Sequence, residues 1–585
     1  MRSRLLAWLA LGVACSSPPA DRTTKPTGPR PPPQKRPGAI TLTLIGTNDL
    51  HGAIERLPIF AGYITNIREA RRADGGGVVL VDGGDMFQGT LESNLSEGAD
   101  VVKAYNQIGY SAVAVGNHEF DYGPEGPAAT AASVEDDPRG ALKARASEAK
   151  FPFVVSNVLD KQSGARIKWP NMPASTLVDV AGIKVGIIGA TTESTPFTTM
   201  PANFLGLQMA PPAAAIADEA KQLRARGAGV IIVTAHIGSK CKDLDHPNDV
   251  SSCDQNEELF HLIRDLPKGT VDAIVAGHTH AGMAHRISDI AVIESYSSGR
   301  AFGRVDLRLA PDGHVSSVKI HKPQQLCPGE GEGNAMAVAS CKPGAYEGKP
   351  VVPDPAVQQI VDGALAKAGA RRSEKLGVTL AGKITKSYGD ESVEGNWFAD
   401  LMLAAQPGTH VAVTNGGGLR ADIPAGALTY GQLFEAMPFD NRFAVVDVKG
   451  SHLRKLVTSN LQRGGAILSW GGLAAKARCT GNKLDVTITV GGKPLSDAAS
   501  YKLVTSDFLA SGGDAGLIGR LKLPEGSVKM TSVIIRDAMA DLLRKKKGTV
   551  DPAKYTAVKR LDFTGKRPLQ CGKTTNTTPD KEPTE

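Results

Sequence analysis

From Ile40 onward, short runs of apolar, β-branched residues alternate with longer stretches whose apolar positions recur at helical spacing. The runs are ITLTLIG, VVLVDGG, SAVAVGN, PFVVSN, IKVGIIGA, VIIVTAH and VDAIVAGH, and the helical stretches between them cover 57–72, 97–109, 212–226 and 255–265. Strand and helix in alternation predict an α/β core. Near 290–309 and 315–321 strands follow one another without helices, which suggests a second sheet packed on the first. A stretch rich in Gly, Pro and Lys at 322–353 precedes a predicted helix at 354–372 and marks a domain boundary. The expected division is a first domain at 40–325, a linker and connecting helix at 326–374, a second α/β domain at 375–566 and a polar tail at 567–585.

At 585 residues the chain is too long for one core, in agreement with two domains. Its formal net charge of +7 is modest for this length. No basic helix or interleaving of basic and aromatic residues points to nucleic acid. The N-terminus carries Arg2 and Arg4, an apolar stretch at 5–14, and Cys15 followed by two serines, which reads as an export signal over 1–15. A Cys in that position resembles a bacterial lipoprotein signal, although Gly12 stands where such signals prefer Leu. The expected location is therefore periplasmic or cell-surface, with a lipid anchor on Cys15. Residues 16–39 are crowded with Pro among polar residues and read as an extended tether.

Beyond Cys15 six cysteines remain, an even set in a chain that reads as exported, so disulfides are expected. Fifteen connectivities are open. Cys241 with Cys253 and Cys327 with Cys341 would close short loops, leaving Cys479 for Cys571.

Four motifs carry the chemistry: TNDLHG at 47–52, DGGD at 82–85, GNHEFD at 116–121 and GHTH at 277–280. Each follows an apolar run, so the polar groups would gather where strands stop, the place where open α/β sheets build sites. Alone, each motif is weak; four in one chain read as a two-metal hydrolytic centre. On a strand, side chains two residues apart point the same way, so Asp49 with His51, and His278 with His280, can each present two ligands toward one point. Asp85 is the candidate bridge between ions about 3.5–4 Å apart. Asn117 and His236 complete the donors, and Asp82 would support the loop. Carboxylate, amide and imidazole without thiolate suit Mn, Zn, Fe or Co.

Two divalent ions offset by Asp49, Asp85 and a bridging hydroxide leave an excess of about one positive charge, which favours an anionic ester. His118 is placed to donate a hydrogen bond to the phosphoryl oxygen or leaving group, with Asp121 orienting it and keeping it protonated.

These motifs, with the His236 segment and DGGDMFQGT, closely resemble the 5'-nucleotidase family of secreted calcineurin-like metallophosphoesterases. The resemblance spans about 40–566 and implies an N-terminal four-layer α/β/β/α domain and a C-terminal α/β nucleotide-binding domain, with rotation about the connecting helix. It implies one metal held by Asp49, His51, Asp85 and His280, and a second by Asp85, Asn117, His236 and His278. In the second domain NGGGLR resembles the family's NGGGIR, placing Asn415, Gly417 and Arg420 near the substrate. PFDN and SDFLASGGD resemble the segments whose rings sandwich the base, which carries that role to Phe439 and Phe508 and a ribose contact to Asp514. Two planar rings suit a base, and a guanidinium suits phosphate oxygens.

One segment departs from the pattern. Where many relatives carry Arg before an ESxxGN-like stretch, this chain reads KITKSYGDESVEGNWFAD, with Lys383 and Lys386 as the nearby cations and Asp390 at an Arg position. Loss of a bidentate clamp bears on substrate identity more than on reaction class. The expected function is release of phosphate from nucleoside monophosphates by metal-bound hydroxide. UDP-sugar or 2',3'-cyclic nucleotide hydrolysis and a sulfur-oxidation hydrolase of the same superfamily are the alternatives. From another class, a non-catalytic surface binding protein would keep the fold but lack some of the ligands.

Overall fold

A computed structural model describes residues 39–311, 314–329, 338–516, 518–557 and 559–572. The expected signal, Cys15 and nearly all of the Pro-rich tether fall outside the described residues. Among those described, no helix is long and apolar enough to cross a membrane.

The first domain is built on two six-stranded sheets. One runs in the order Val315–Gln325, Ala301–Leu309, Ile40–Thr47, Gly77–Asp82, Ala112–Ala114, Phe153–Val154; the other runs Gly282–Ile287, Ile290–Ser295, Ala273–Val275, Val230–His236, Ile183–Thr191, Ser175–Val180. The late strands thus divide: Ile290–Ser295 joins the second sheet, whereas Ala301–Leu309 and Val315–Gln325 extend the first. Side-chain alternation explains why the central strands read as unbroken apolar runs. Leu42, Leu44, Val79 and Val81 face Val185, Ile187, Val230 and Ile232 between the sheets. Ile45 and Leu80 point the other way, onto the helices Leu57–Ala73 and Ala99–Ile108. On the far side, Ile188 and Ile231 pack against Pro212–Ala225 and Glu258–Asp265. Both faces of each sheet are buried, which requires apolar residues at consecutive positions. The result is the expected α/β/β/α stack.

The central strands run parallel: Ile40–Thr47 with Gly77–Asp82, Ala112–Ala114 and Phe153–Val154, and Ile183–Thr191 with Val230–His236 and Ala273–Val275. Their C-terminal ends share one edge, and all four motifs emerge there.

The helix Pro355–Arg372 joins the domains. Asp354 starts it by accepting from the backbone N–H groups of Ala356 and Val357, and Pro355 fits the first turn. The second domain is built around a five-stranded sheet, Leu468–Gly471, Val411–Asn415, Ser500–Ser506, Arg442–Lys449, Val528–Ile534. Val393–Ala405 and Ile535–Lys546 pack on one face, Gly450–Gln462 and a four-stranded sheet on the other.

Cys241 pairs with Cys253, Cys327 with Cys341 and Cys479 with Cys571. The last bridge corrects the expected start of the tail. Residues 567–571 are tied to the second domain: Leu569 is buried and Arg567 donates to the carbonyls of Gly389 and Asn460.

Candidate active site

Asp49, Asp85 and His236 are buried at the shared strand edge, and the remaining donors surround them. One structural reason given for that convergence does not hold. Asp49 and His51 lie beyond the strand that ends at Thr47, and His278 and His280 beyond the one that ends at Val275, so strand alternation aims neither pair. Their backbones are left-handed instead: φ is 50° at Asp49, 49° at His51, 58° at Asp85, 81° at His278 and 56° at His280. Such conformations are unfavourable for residues with a Cβ and occur where surrounding contacts enforce them. Here Asn48 supplies part of that enforcement. Its amide donates to Asp49 Oδ2 at 2.7 Å and to the Tyr296 carbonyl, while its oxygen accepts from Ser295 N–H.

Two sub-clusters result. In the first, His51 Nε2 and His280 Nε2 face each other at 2.9 Å, and Asp49 Oδ1 lies 3.2 Å from the His280 nitrogen and 3.8 Å from that of His51. In the second, His236 Nε2 is 3.1 Å from Asp85 Oδ2, 3.0 Å from Asn117 Oδ1 and 3.2 Å from His278 Nδ1. Asp85 Oδ2 is also 3.8 Å from His51 Nε2, so this carboxylate lies between the two. Asp49 Oδ1 is buried without a well-aligned hydrogen bond, although the His280 and His51 nitrogens lie close to it. Donor atoms of Asp49, His51 and His280, and of Asp49, Asp85 and His236, lie within 4.8 Å of one another. A buried unpartnered carboxylate oxygen among imidazole nitrogens that converge on one another is costly unless a cation lies between them, so these residues fit divalent metal ions.

Two of the remaining ring nitrogens are fixed by backbone: His51 Nδ1 by the Gln88 carbonyl at 2.8 Å and His236 Nδ1 by the Gly83 carbonyl at 2.9 Å. Such partners set which nitrogen carries the proton and leave the other as a lone-pair donor. Burial, with His236 nearby, lowers the His278 imidazole to about 3, keeping it neutral. Burial opposes ionisation of Asp85, but His236 and His118 hold its carboxyl well below the usual carboxylate range.

His118 occupies the rim. Its Nδ1 is 2.6 Å from Asp121 Oδ2 and its Nε2 points inward, 4.0 Å from Asp85 Oδ2. Burial works against the imidazolium, yet Asp121 and Asp85 outweigh it and the net shift is upward. Asp121 is itself held by the Thr199 hydroxyl and Met200 N–H through its other oxygen.

Glu119 went unassigned in the sequence although it belongs to GNHEFD. Its buried carboxyl accepts from the N–H groups of Asp85, Met86 and Gly116 at 2.8, 2.7 and 2.6 Å, tying two ligand loops together. Burial, then the neighbouring Asp85, pushes it up to about 8. Glu294 does similar work for GHTH, accepting from the Thr279 hydroxyl at 2.6 Å. Asp82 stands back from the donors and accepts from Thr47, Tyr105 and Gly84 N–H, which is the supporting role read from the sequence. Burial raises it to about 6.

The second domain closes over this centre. Arg420 Nη2 lies 3.0 Å from His51 Nε2, and its guanidinium sits 5.8 Å from the Phe439 ring, which in turn is 5.4 Å from the His118 ring. Asn415, Gly417, Arg420, Phe439, Phe508 and Asp514 line the same interdomain cleft as His51, Asp85, Asn117, His118, His278 and His280, a space of about 2150 Å³. Phe508 lies against Gly513, and Asp514 is ion-paired with Arg463 at 3.1 Å. Of the two lysines in the divergent segment, Lys383 pairs with Asp422 at 2.8 Å, and both Lys383 and Lys386 reach the cleft. Asp390 is exposed and does not line the cleft.

A four-layer fold with Asp, His and Asn donors at its strand edge, capped by a second α/β domain, defines a metal-dependent phosphoesterase. The calcineurin-like phosphoesterase family matches residues 42–282, and the 5'-nucleotidase C-terminal domain family matches 372–518. Protein UshA of Yersinia enterocolitica is 26% identical over 506 residues, covering 81% of this chain and 86% of that protein. The 5'-nucleotidase of Homo sapiens is 27% identical over 541 residues, covering 82% and 84%. The crystal structure of a 5'-nucleotidase precursor from Thermus thermophilus superposes with a TM-score of 0.67 at 24% identity, covering 89% of this chain and 99% of that one. The chain belongs to the 5'-nucleotidase family and is a phosphoester hydrolase.

Proposed function

We propose that this protein releases phosphate from nucleoside monophosphates outside the cytoplasm. The carrying observation is the double cluster around Asp49 Oδ1 and Asp85, flanked by His118 and faced by Arg420. In this reading Asp49, His51, Asp85 and His280 hold one divalent ion, and Asp85, Asn117, His236 and His278 hold the other. When bound, the ions supply positive charge and Lewis acidity at the phosphoryl group.

The chain's own groups do the rest. His118 carries a proton on Nε2, oriented through Nδ1 by Asp121, and donates it toward the oxygen on which charge develops. Arg420 presents a planar guanidinium to the phosphate oxygens. Phe439 and Phe508 offer ring faces to the base, and Asp514 with Arg463 lies where a ribose hydroxyl would be read. Asn415 and Gly417 shape the loop beside the phosphate.

A second reading, hydrolysis of nucleotide sugars, is favoured by the size of the cleft, which exceeds the range of about 300–1,000 Å³ usual for small-ligand pockets. Export, with lipid on Cys15, rests on the N-terminal sequence alone. The deciding experiment measures phosphate release from mononucleotides, nucleotide sugars and cyclic nucleotides, using metal-stripped protein resupplied with Mn, Zn, Fe or Co. Turnover of mononucleotides only on metal addition is expected; metal-independent turnover, or none with any nucleotide, would refute the proposal.

A further inference from the structure

The divergent segment at 383–390 places Tyr388 in the cleft. Two large aromatic side chains stand strongly exposed among the described residues, Phe197 at 47% and Tyr388 at 57%, and both line the interdomain cleft. Exposed rings gathered in one concave site mark a contact surface, because an aromatic left in water forgoes a large burial gain.

Tyr388 is exposed without being loose. Its carbonyl accepts from Ile467 N–H at 2.8 Å, and the next carbonyl, that of Gly389, accepts from Arg567 at 2.7 Å. A Cβ at Gly416 would sit 2.5 Å from the Tyr388 carbonyl and 2.7 Å from that of Ser387, so only glycine lets this segment lie flat on the NGGG loop. The ring then rests over that loop: its Cε2 lies 3.7 Å from where a Cβ of residue 417 would stand, and its hydroxyl 3.9 Å from the same point on residue 465. Asp514, Glu257 and Arg420 line the same cleft as this ring, with Arg463 paired to Asp514. Arg420 lies beside His51 and Asp514 lines the same cleft, so the ring stands within the space a nucleotide held there would occupy.

We infer that Tyr388 is a substrate-contacting residue that sets specificity for the nucleoside, its ring forming a third planar wall beside Phe439 and Phe508. The inference rests on the nucleotide reading above. A fixed ring is a sequence-tolerant platform, and base–aromatic stacking accounts for about 1–3 kcal/mol per base. The segment at 383–390 thus contributes ring area beside the NGGG loop.

The test compares wild type, Tyr388→Ala and Tyr388→Phe with a nucleoside monophosphate and with glycerol phosphate, which has a phosphate but no ring. Tyr388→Ala should raise KM for the nucleotide about tenfold, with kcat within about twofold and KM for glycerol phosphate unchanged. Tyr388→Phe should stay within about twofold of wild type throughout. Equal effects on both substrates, or an unchanged nucleotide KM in Tyr388→Ala, would overturn the inference while leaving the nucleotidase reading intact. Wild type that cleaves glycerol phosphate but no nucleotide would overturn the reading itself, and the inference with it.

Discussion

At the scale of single residues, the histidines of the site differ in what their Nδ1 atoms meet. His51 and His236 are anchored through Nδ1 to backbone carbonyls, which puts the ring proton on Nδ1 and the lone pair on Nε2, as the proposed ligand role requires. His118 has a carboxylate at Nδ1 instead, an arrangement that favours the protonated ring and suits the proton donation proposed for its Nε2. The partner on one ring nitrogen thereby decides the role of the other. Replacing His118 with Ala is expected to lower kcat by about 10²–10⁴ while bound metal per chain stays near wild type. Metal analysis beside steady-state kinetics checks this; loss of metal in step with activity would contradict it. The types of these residues were legible in the sequence. Their partners were not, because a backbone carbonyl lies far along the chain from the imidazole it fixes, as with Gly83 and His236.

At the scale of elements, the strands bring the motifs to one edge but the turns after them do the aiming. Five donors sit at positive φ, and they stay there because Asn48, Glu119 and Glu294 over-determine the loops. The sequence pattern located these turns correctly and misread their geometry, since an Asp-x-His spacing looks the same on a strand and on a left-handed turn. Close backbone approach is part of the same device. A Cβ at Gly116 would lie 2.2 Å from Asp85 Oδ1 and 2.5 Å from Asp85 N, neither of which can swing away without displacing the proposed bridging carboxylate. Gly116→Ala should therefore weaken metal affinity by about 10–100-fold with the circular dichroism spectrum preserved. Calorimetric titration of the stripped protein would show it, and wild-type affinity would count against the packing account. The principal helices and strands themselves were readable, down to Leu57–Ala73 and Pro355–Arg372, because amphipathic spacing and doubly buried strands leave a strong periodic signal.

At the scale of the whole molecule, function depends on how two domains meet. Arg372, the last residue of the connecting helix, lies between Glu55 at 2.8 Å, Glu92 at 3.0 Å and Glu435 at 3.2 Å. The first two belong to the N-terminal domain and the third to the C-terminal domain, so one cation holds three carboxylates across the junction. Without it they repel. Arg372→Met is expected to open the molecule, seen as a larger radius of gyration by small-angle scattering, and to reduce turnover. About 1 M salt, where the Debye length falls to about 3 Å, should reverse part of the opening. Scattering identical to wild type would show that the junction does not need this residue.

The sequence by itself determined the α/β class, the two domains, the residues proposed as donors and the family resemblance, because periodic burial and short polar motifs are local properties of the chain. Only the tertiary structure decided which turns bend left-handed, which distant carbonyl fixes each histidine, and how Arg420, Phe439 and Tyr388 are carried over a centre built by the other domain. Those are relations between residues far apart along the chain, and they exist only once packing has brought the backbones together.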